Sequence, residues 1–280
     1  MRQALPEPFA IGLRPIAEED WLRPDSRRPA YVAEKGRLSD LDPSAVFAEA
    51  PGTRAAQVEV LSLIREWFTR NARSMTAPDG TGAPSPDPQA TDAPPLLAAA
   101  MMLCEDLALM RRTPAGWTLV AGAIHFPSAW RLSEKIGRPM HEVHAPVPGY
   151  EARTRGARMI ERIFDSLDVG TIVERANWSL HDEATLHLPR NPPDHERRLA
   201  SAEPSSLTIR RERQTLRKLA GGDILFTIDV TVPSVDELTD GEQKALARQL
   251  RALDDRQRDY KGLTEAAGSI AEAMADVDRT

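Results

Sequence analysis

Residues 223–232 read DILFTIDVTV, with Ile224, Phe226, Ile228 and Val230 at alternate positions. In an extended chain a period of two puts these four side chains on one face, so the stretch predicts a half-buried β-strand. Such a strand needs neighbours, and the sequence offers them. IVERANWSLH (172–181) and LTIRRERQTLRKL (207–219) predict two more strands, and DLALMRR (106–112) and WTLVAGAIHF (117–126) flank a Pro-Ala-Gly turn in the manner of a hairpin. Helical spacing surrounds them. Val58, Leu61, Ile64, Trp67 and Phe68 predict a helix from near Thr53, AWRLSEKIG (129–137) a short one, and residues from about Tyr150 to Leu167 a longer one. DGEQKALARQLRALDDRQRDYKGL (240–263) predicts one or two charged amphipathic helices. Helices, a hairpin, more helices and then further strands imply an α+β fold with an antiparallel sheet, not a doubly wound parallel one.

The chain divides along these lines into an N-terminal helical segment (1–74), a core (96–235) and C-terminal helices (236–280), integrated as one domain. Between the first two, MTAPDGTGAPSPDPQATDAPP (75–95) is rich in Pro, Gly, Asp and Thr and predicts a flexible loop. A formal charge of −6 gives no electrostatic case for a nucleic-acid partner. There is neither an 18-residue apolar run nor an N-terminal signal-like core, so the expectation is a cytoplasmic protein with no membrane span. The single cysteine, Cys104, excludes an intrachain disulfide and any all-cysteine zinc or iron–sulfur site; in its apolar surroundings it reads as a buried thiol.

SEKIGRPMHEVHAPVPGY (133–150) holds two of the six histidines. At i and i+3, His141 and His144 would share a helix face and could bind one metal, but a mononuclear site wants a third ligand and HExxH is absent. A structurally hydrogen-bonded histidine is the plainer reading of each alone. Haem iron needs only one protein imidazole. Pro146 and Pro148 force the chain out of the helix just after His144, which would fix the direction of that side chain.

IRRERQTLRKL (209–219) is the second unusual stretch. In a strand Arg211, Arg213 and Thr215 face one side and Arg210, Glu212 and Gln214 the other. The bland reading is a solvated edge strand protected by its charges. The functional one is a face of arginines for carboxylates, with Glu212 in a pocket on the other side. RANWSLHD adds Arg175, Asn177, Trp178 and His181. No GxSxG, GxGxxG or P-loop occurs.

Together FPSAWRLSEKIGRP, HAPVPGY and RERQTLRKL, with EDLALMRR, RANWSLHD, ILFTIDVTV and LRALDDRQRDYKGL, resemble the haem-dependent oxidative N-demethylase family, which includes dimethylamine monooxygenase subunits; the resemblance runs from about Trp21 to Leu263. It implies a PAS-like antiparallel sheet flanked by helices, with the core (96–235) binding haem b through one axial histidine. It implies oxidative removal of a methyl group from a small secondary amine, using O₂ and NADPH electrons delivered by partner reductase subunits carrying FMN and a 2Fe-2S cluster. Carried onto this chain, His144 is the axial ligand, with Arg210 and Arg175 for the haem propionates. Glu212, Arg213 and Thr215 fall on the distal, catalytic side, where Glu212 would bind the substrate ammonium. His125 and His181 are less tied to the pattern. Two departures stand out: histidine in HFPS, and Asp229 where the pattern implies a basic residue. A haem-based sensor is the alternative reading, although the short C-terminal helices offer no output segment.

Overall fold

The arginine-rich strand forms, and it is not an edge. In the computed structural model, which describes residues 5–23, 25–71 and 93–274, it lies inside a seven-stranded antiparallel sheet. Along the chain the strands are β1 (Arg14–Pro15), β2 (Phe47–Glu49), β3 (Asp106–Thr113), β4 (Gly116–Ala123), β5 (Ile172–His181), β6 (Thr208–Lys218) and β7 (Ile224–Thr231). Their spatial order is β1-β5-β6-β7-β3-β4-β2. The edge-strand reading of β6 is therefore corrected: β5 and β7 saturate its backbone on both sides. Its charges are paired instead of solvated. Arg211 meets Glu242 at 2.9 Å, Arg213 meets Glu174 at 2.5 Å and Arg217 meets Glu18 at 2.9 Å.

Two consecutive hairpins, β3–β4 and β6–β7, make most of the sheet, and pairing of β7 with β3 joins them. The first hairpin has a bulge at Leu109/Met110. The two outermost strands come from the N-terminal segment, which thus adds to the sheet as well as packing helices on it.

Eleven α-helices accompany the sheet among the described residues. They are α1 (Arg28–Leu41), α2 (Pro43–Val46), α3 (Arg54–Asn71), α4 (Pro95–Ala100), α5 (Leu132–Lys135), α6 (Met140–Val143), α7 (Arg155–Ser166), α8 (His195–Ser201), α9 (Asp240–Ala252), α10 (Asp255–Lys261) and α11 (Ala267–Ala273). Of the loop expected at 75–95, residues 75–92 lie outside the described part, and Pro95 already opens α4 at the first helical position, where its missing N–H costs nothing. The helix expected from Tyr150 starts later. Thr154 caps α7 by accepting from the Ala157 N–H at 3.2 Å, and Arg153 before it has φ +68°, which no helix continues through.

Register divides the sheet into two faces. Leu107, Leu109, Ala121 and Leu225 pack with Trp21, Val60, Ile64 and Trp67 under α3 and α4. On the opposite face Ala108, Met110, Leu119, Val173, Leu216 and Ile224 pack with Leu132, Phe164, Ile160 and Ile163 from α5 and α7. The C-terminal helices close a third cluster over Trp178, Leu180 and Ile209. Cys104 is buried, as its surroundings predicted, and burial pushes its thiol up to about 12.

Candidate functional site

α6 is one turn long and ends where the prolines require: Val143 is its last residue and His144 stands just past it. Three contacts hold this end. The His144 backbone N–H donates to the Met140 carbonyl at 2.9 Å, and Lys135 Nζ donates to the Val143 carbonyl at 2.6 Å. The third is between His144 Nδ1 and the Met140 carbonyl, at 3.1 Å. A carbonyl only accepts, so Nδ1 carries the proton and Nε2 keeps its lone pair. That lone pair has no hydrogen-bond partner among the described residues. The ring is crowded by protein on one side and open to a cavity on the other. Burial, helped by Lys135 and Arg175 nearby, holds the His144 pKa down to about 4, so the imidazole is neutral at ordinary pH.

The cavity has a volume of about 1080 Å³ and lies between α7, the β3–β4 turn and the segment from Met140 to Arg155. Cofactor and ligand sites run from roughly 300 to 1000 Å³, so it is large for a small metabolite alone. Met140, His141, His144 and Tyr150 line one wall, with Ile160 and Ala157 of α7 opposite. Pro146, Pro148 and Gly149 turn the chain back onto α7, with Gly149 at φ +84°. At Gly156 a Cβ would run into the Gly149 carbonyl oxygen and come within 3.2 Å of the Tyr150 ring. Only glycine allows so close an approach there. Tyr150 is buried and donates its hydroxyl to the Phe9 carbonyl at 2.8 Å, which ties the same loop to the N-terminal segment.

Behind this wall the sheet face shared with α5 and α7 carries Arg175 and Asn177 on β5 opposite Gln214 and Glu212 on β6. Arg175 donates from Nη2 to the Ala10 carbonyl at 3.2 Å, but its Nε is buried with no partner. Burial pulls its pKa down, against the attraction of Tyr150, Glu212 and Tyr260. A half-buried guanidinium whose buried Nε–H is spare is suited to an anion. Glu212 accepts from Ser128 Oγ on one oxygen and from Gln214 Nε2, at 2.7 Å, on the other. Arg210, fully buried, donates to Ser128 Oγ at 2.6 Å and to the carbonyls of Thr185, Phe126 and Pro127. Its donors are spent within the protein, which makes it the keystone of the Pro127–Ser128 turn.

The predicted site residues therefore separate. His144, Arg175, Arg210 and Glu212 belong to one side of the sheet. Arg213 and Thr215 lie on the other, where Arg213 also donates to the Trp21 and Asp20 carbonyls and Thr215 shares a 2.7 Å hydroxyl contact with Thr227. The period of two already required this split. Asp229 pairs with Arg27 at 3.0 Å, so the cation expected at its own position reaches it from the segment before α1. His125 is fully buried between Asp106, at 3.6 Å, and Ser39, at 3.1 Å, and His181 is held by Ser179 at 2.8 Å. Neither lines the cavity.

Among the described residues no three His, Cys, Asp or Glu side chains converge as a metal-binding set. A single free imidazole suits a group that brings its own equatorial donors. The sequence pattern of a family described as haem-dependent oxidative N-demethylase, alpha subunit-like, matches residues 12–271. The chain belongs to this family. No curated protein matches it. Membership makes haem dependence the family expectation for the chain; His144 Nε2, unpartnered at the cavity wall, fits an iron, whereas Arg175, Arg210 and Glu212 do not line the cavity. An alpha-subunit-like family also implies partner subunits. Among the described residues no helix is long and apolar enough to cross a membrane.

Tyr150, Met140 and the arginines of α7 are cavity residues that the sequence reading missed. The last had a signal: Arg155, Arg158 and Arg162 recur at helical spacing.

Proposed function

We propose that this chain is the haem-bearing subunit of an oxidative N-demethylase, removing a methyl group from a small secondary amine to give formaldehyde and the shorter amine. The observation that carries the reading is His144, with Nδ1 tied to the Met140 carbonyl and Nε2 free at the cavity wall. His144 would ligate the iron of haem b, and Arg175 would hold a propionate. When bound, the group supplies reductive activation of O₂ and oxidation at the N-methyl carbon.

The protein's own residues do the rest. The Met140 carbonyl, by accepting from Nδ1–H, sets the imidazole tautomer and its direction. Ser128 and Gln214 orient the Glu212 carboxylate, whose remaining lone pairs would receive the substrate ammonium. Arg210 holds Ser128 in turn. Tyr150 and the proline loop keep bulk water from this side of the sheet. The hydroxylated methyl then leaves as formaldehyde once its oxygen loses a proton and the nitrogen gains one. Electrons would come from NADPH through partner subunits bearing FMN and a 2Fe-2S cluster, since one cysteine cannot hold a cluster here.

The sheet order supports a PAS-like core. Taken alone, the five long strands run β5-β6-β7-β3-β4, with the last in sequence lying at the centre beside the first.

The test is a UV–visible spectrum of the protein expressed with haem supplied, wild type against His144→Ala. A Soret band in the first that is lost or shifted in the second is expected. An unchanged band in the variant would move the ligand elsewhere, and no band in either would remove the haem reading.

A further inference from the structure

The cavity that His144 lines has an unusual rim for a chain of net charge −6. Its walls include Arg112, Arg153, Arg155, Arg158 and Arg162, against a single carboxylate, Glu161. That carboxylate is already engaged: it accepts from Arg112 at 2.8 Å and from the Trp117 N–H at 3.4 Å. Arg153, Arg155 and Arg162 are exposed and make no ion pair among the described residues. Arg158 is exposed too and braces the Arg153 carbonyl.

The four are not scattered. Arg155, Arg158 and Arg162 recur on one side of α7, with Met159, 41% exposed, between them. The opposite side of the same helix carries Ile160, Ile163 and Phe164 into the sheet. A solvated helix face ordinarily mixes both signs. Here the two acids of the helix, Glu161 and Asp165, are both engaged by Arg112 and Trp117 of the β3–β4 hairpin, which leaves the arginines as the charges without an ion pair among the described residues, with a large apolar side chain between them; arginine and methionine are the residues enriched where proteins meet. It also stands at the mouth of the cavity, so whatever docks there comes close to the His144 imidazole.

We propose that the arginine face of α7 docks an acidic electron-donor protein beside the His144 cavity. This rests on the reading of that cavity as a haem site. The transfer makes and breaks no bond: one electron leaves the reduced flavin or iron–sulfur group of the donor and ferric iron becomes ferrous. Like charges on one face steer an acidic partner and set its orientation, an effect that salt screens over about 8 Å at physiological strength.

The probe is a flavodoxin, a small acidic FMN protein. Its binding to the purified protein is measured by biolayer interferometry between 50 and 300 mM NaCl, and haem reduction by flavodoxin hydroquinone is followed by stopped flow. Charge reversal at Arg155→Glu, Arg158→Glu and Arg162→Glu together is expected to weaken binding by at least 10-fold and flatten its salt dependence. An equal reversal at the remote, exposed Arg54, Arg197 and Arg248 should cost less than threefold. Reduction by dithionite and the Soret band should be unchanged in both variants. Equal losses in the two triple variants, or no salt-dependent binding by the wild type, would overturn the proposal. So would tighter binding to phosphatidylglycerol vesicles that the α7 reversal abolishes, which would assign the face to a lipid surface. A wild type without a Soret band would instead sink the haem reading, and electron delivery with it.

Discussion

Glu105 is 6% exposed at the head of β3, and burial together with repulsion from Asp229 pushes its carboxyl pKa up to about 7, against the pull of Lys35 and Arg213. In the unfolded chain the same group titrates near 4.3. A carboxyl whose pKa is raised on folding binds its proton more tightly in the native state. Its penalty is absent below about pH 4, grows as pH rises and is complete above about pH 7. Between those limits the native state holds more protons than the unfolded one, so stability falls with rising pH. Moving the carboxyl from about 4.3 to about 7, at 1.36 kcal/mol for each tenfold, gives about 3–4 kcal/mol, a sizeable part of a typical stability of about 5–15 kcal/mol. Glu105→Gln keeps the shape and cannot ionise. Urea titrations at pH 5 and pH 8 are expected to show the wild type losing about 2–3 kcal/mol more across this interval than the variant, with the variant the more stable of the two at pH 8. If the two proteins lose stability in parallel, Glu105 is not ionising inside the fold and the reasoning fails.

Arg210→Ala should lower stability by about 3–5 kcal/mol, because it strands Ser128 Oγ and the Thr185, Phe126 and Pro127 carbonyls; Arg210→Lys, lacking the planar fork, should recover only part of this in thermal unfolding. Gly156→Ala should cost about 1–3 kcal/mol by driving the proline loop off α7, in spite of alanine's better helix propensity, and a cost below zero in urea titration would show that the loop yields freely. Glu212→Gln should leave the Soret band in place while raising KM for a secondary amine by about tenfold or more; an unchanged KM would remove Glu212 from substrate binding. Thr215→Val, on the far face, should leave that KM untouched and appear only as a modest loss of stability, about 1 kcal/mol, since among the described residues its side chain's one hydrogen-bond partner is Thr227.

Much of the sheet was legible because its strands are long and patterned. The stretches read as strands at 172–181, 207–219 and 223–232 formed to within a residue or two of their predicted ends, and the Pro-Ala-Gly turn sits where the hairpin needed it. The two edge strands were not readable: two and three residues carry no period. The error at β6 is more instructive. Its arginines look solvated because the acids that satisfy them, Glu174, Glu242 and Glu18, are separated from them by up to 199 positions, and no local pattern connects such partners. The exit from the helix after His144 was legible because proline restricts the backbone locally. What that histidine faces was not, since the cavity is closed by α7, Tyr150 and the first strand of a hairpin more than thirty residues upstream. Thr215 and Arg213 were grouped with Glu212 by the family resemblance, although a strand's alternation sends them to the opposite face.

Pairing of β7 with β3 has a consequence for how the chain is made. β3 and β4 can form a hairpin as soon as both are synthesised, but the inner rim of β3 must wait for β7, whose first residue follows 111 positions after the last of β3 (224 − 113). At about 5–20 residues per second, a ribosome leaves that rim bare for roughly 5–20 s. An uncovered strand rim of Leu107, Ala108, Leu109 and Met110 is a template for any passing β-segment. The centre of the finished sheet is thus the nascent chain's most exposed liability, and the face on which α5 and α7 pack is complete only after the last strand emerges.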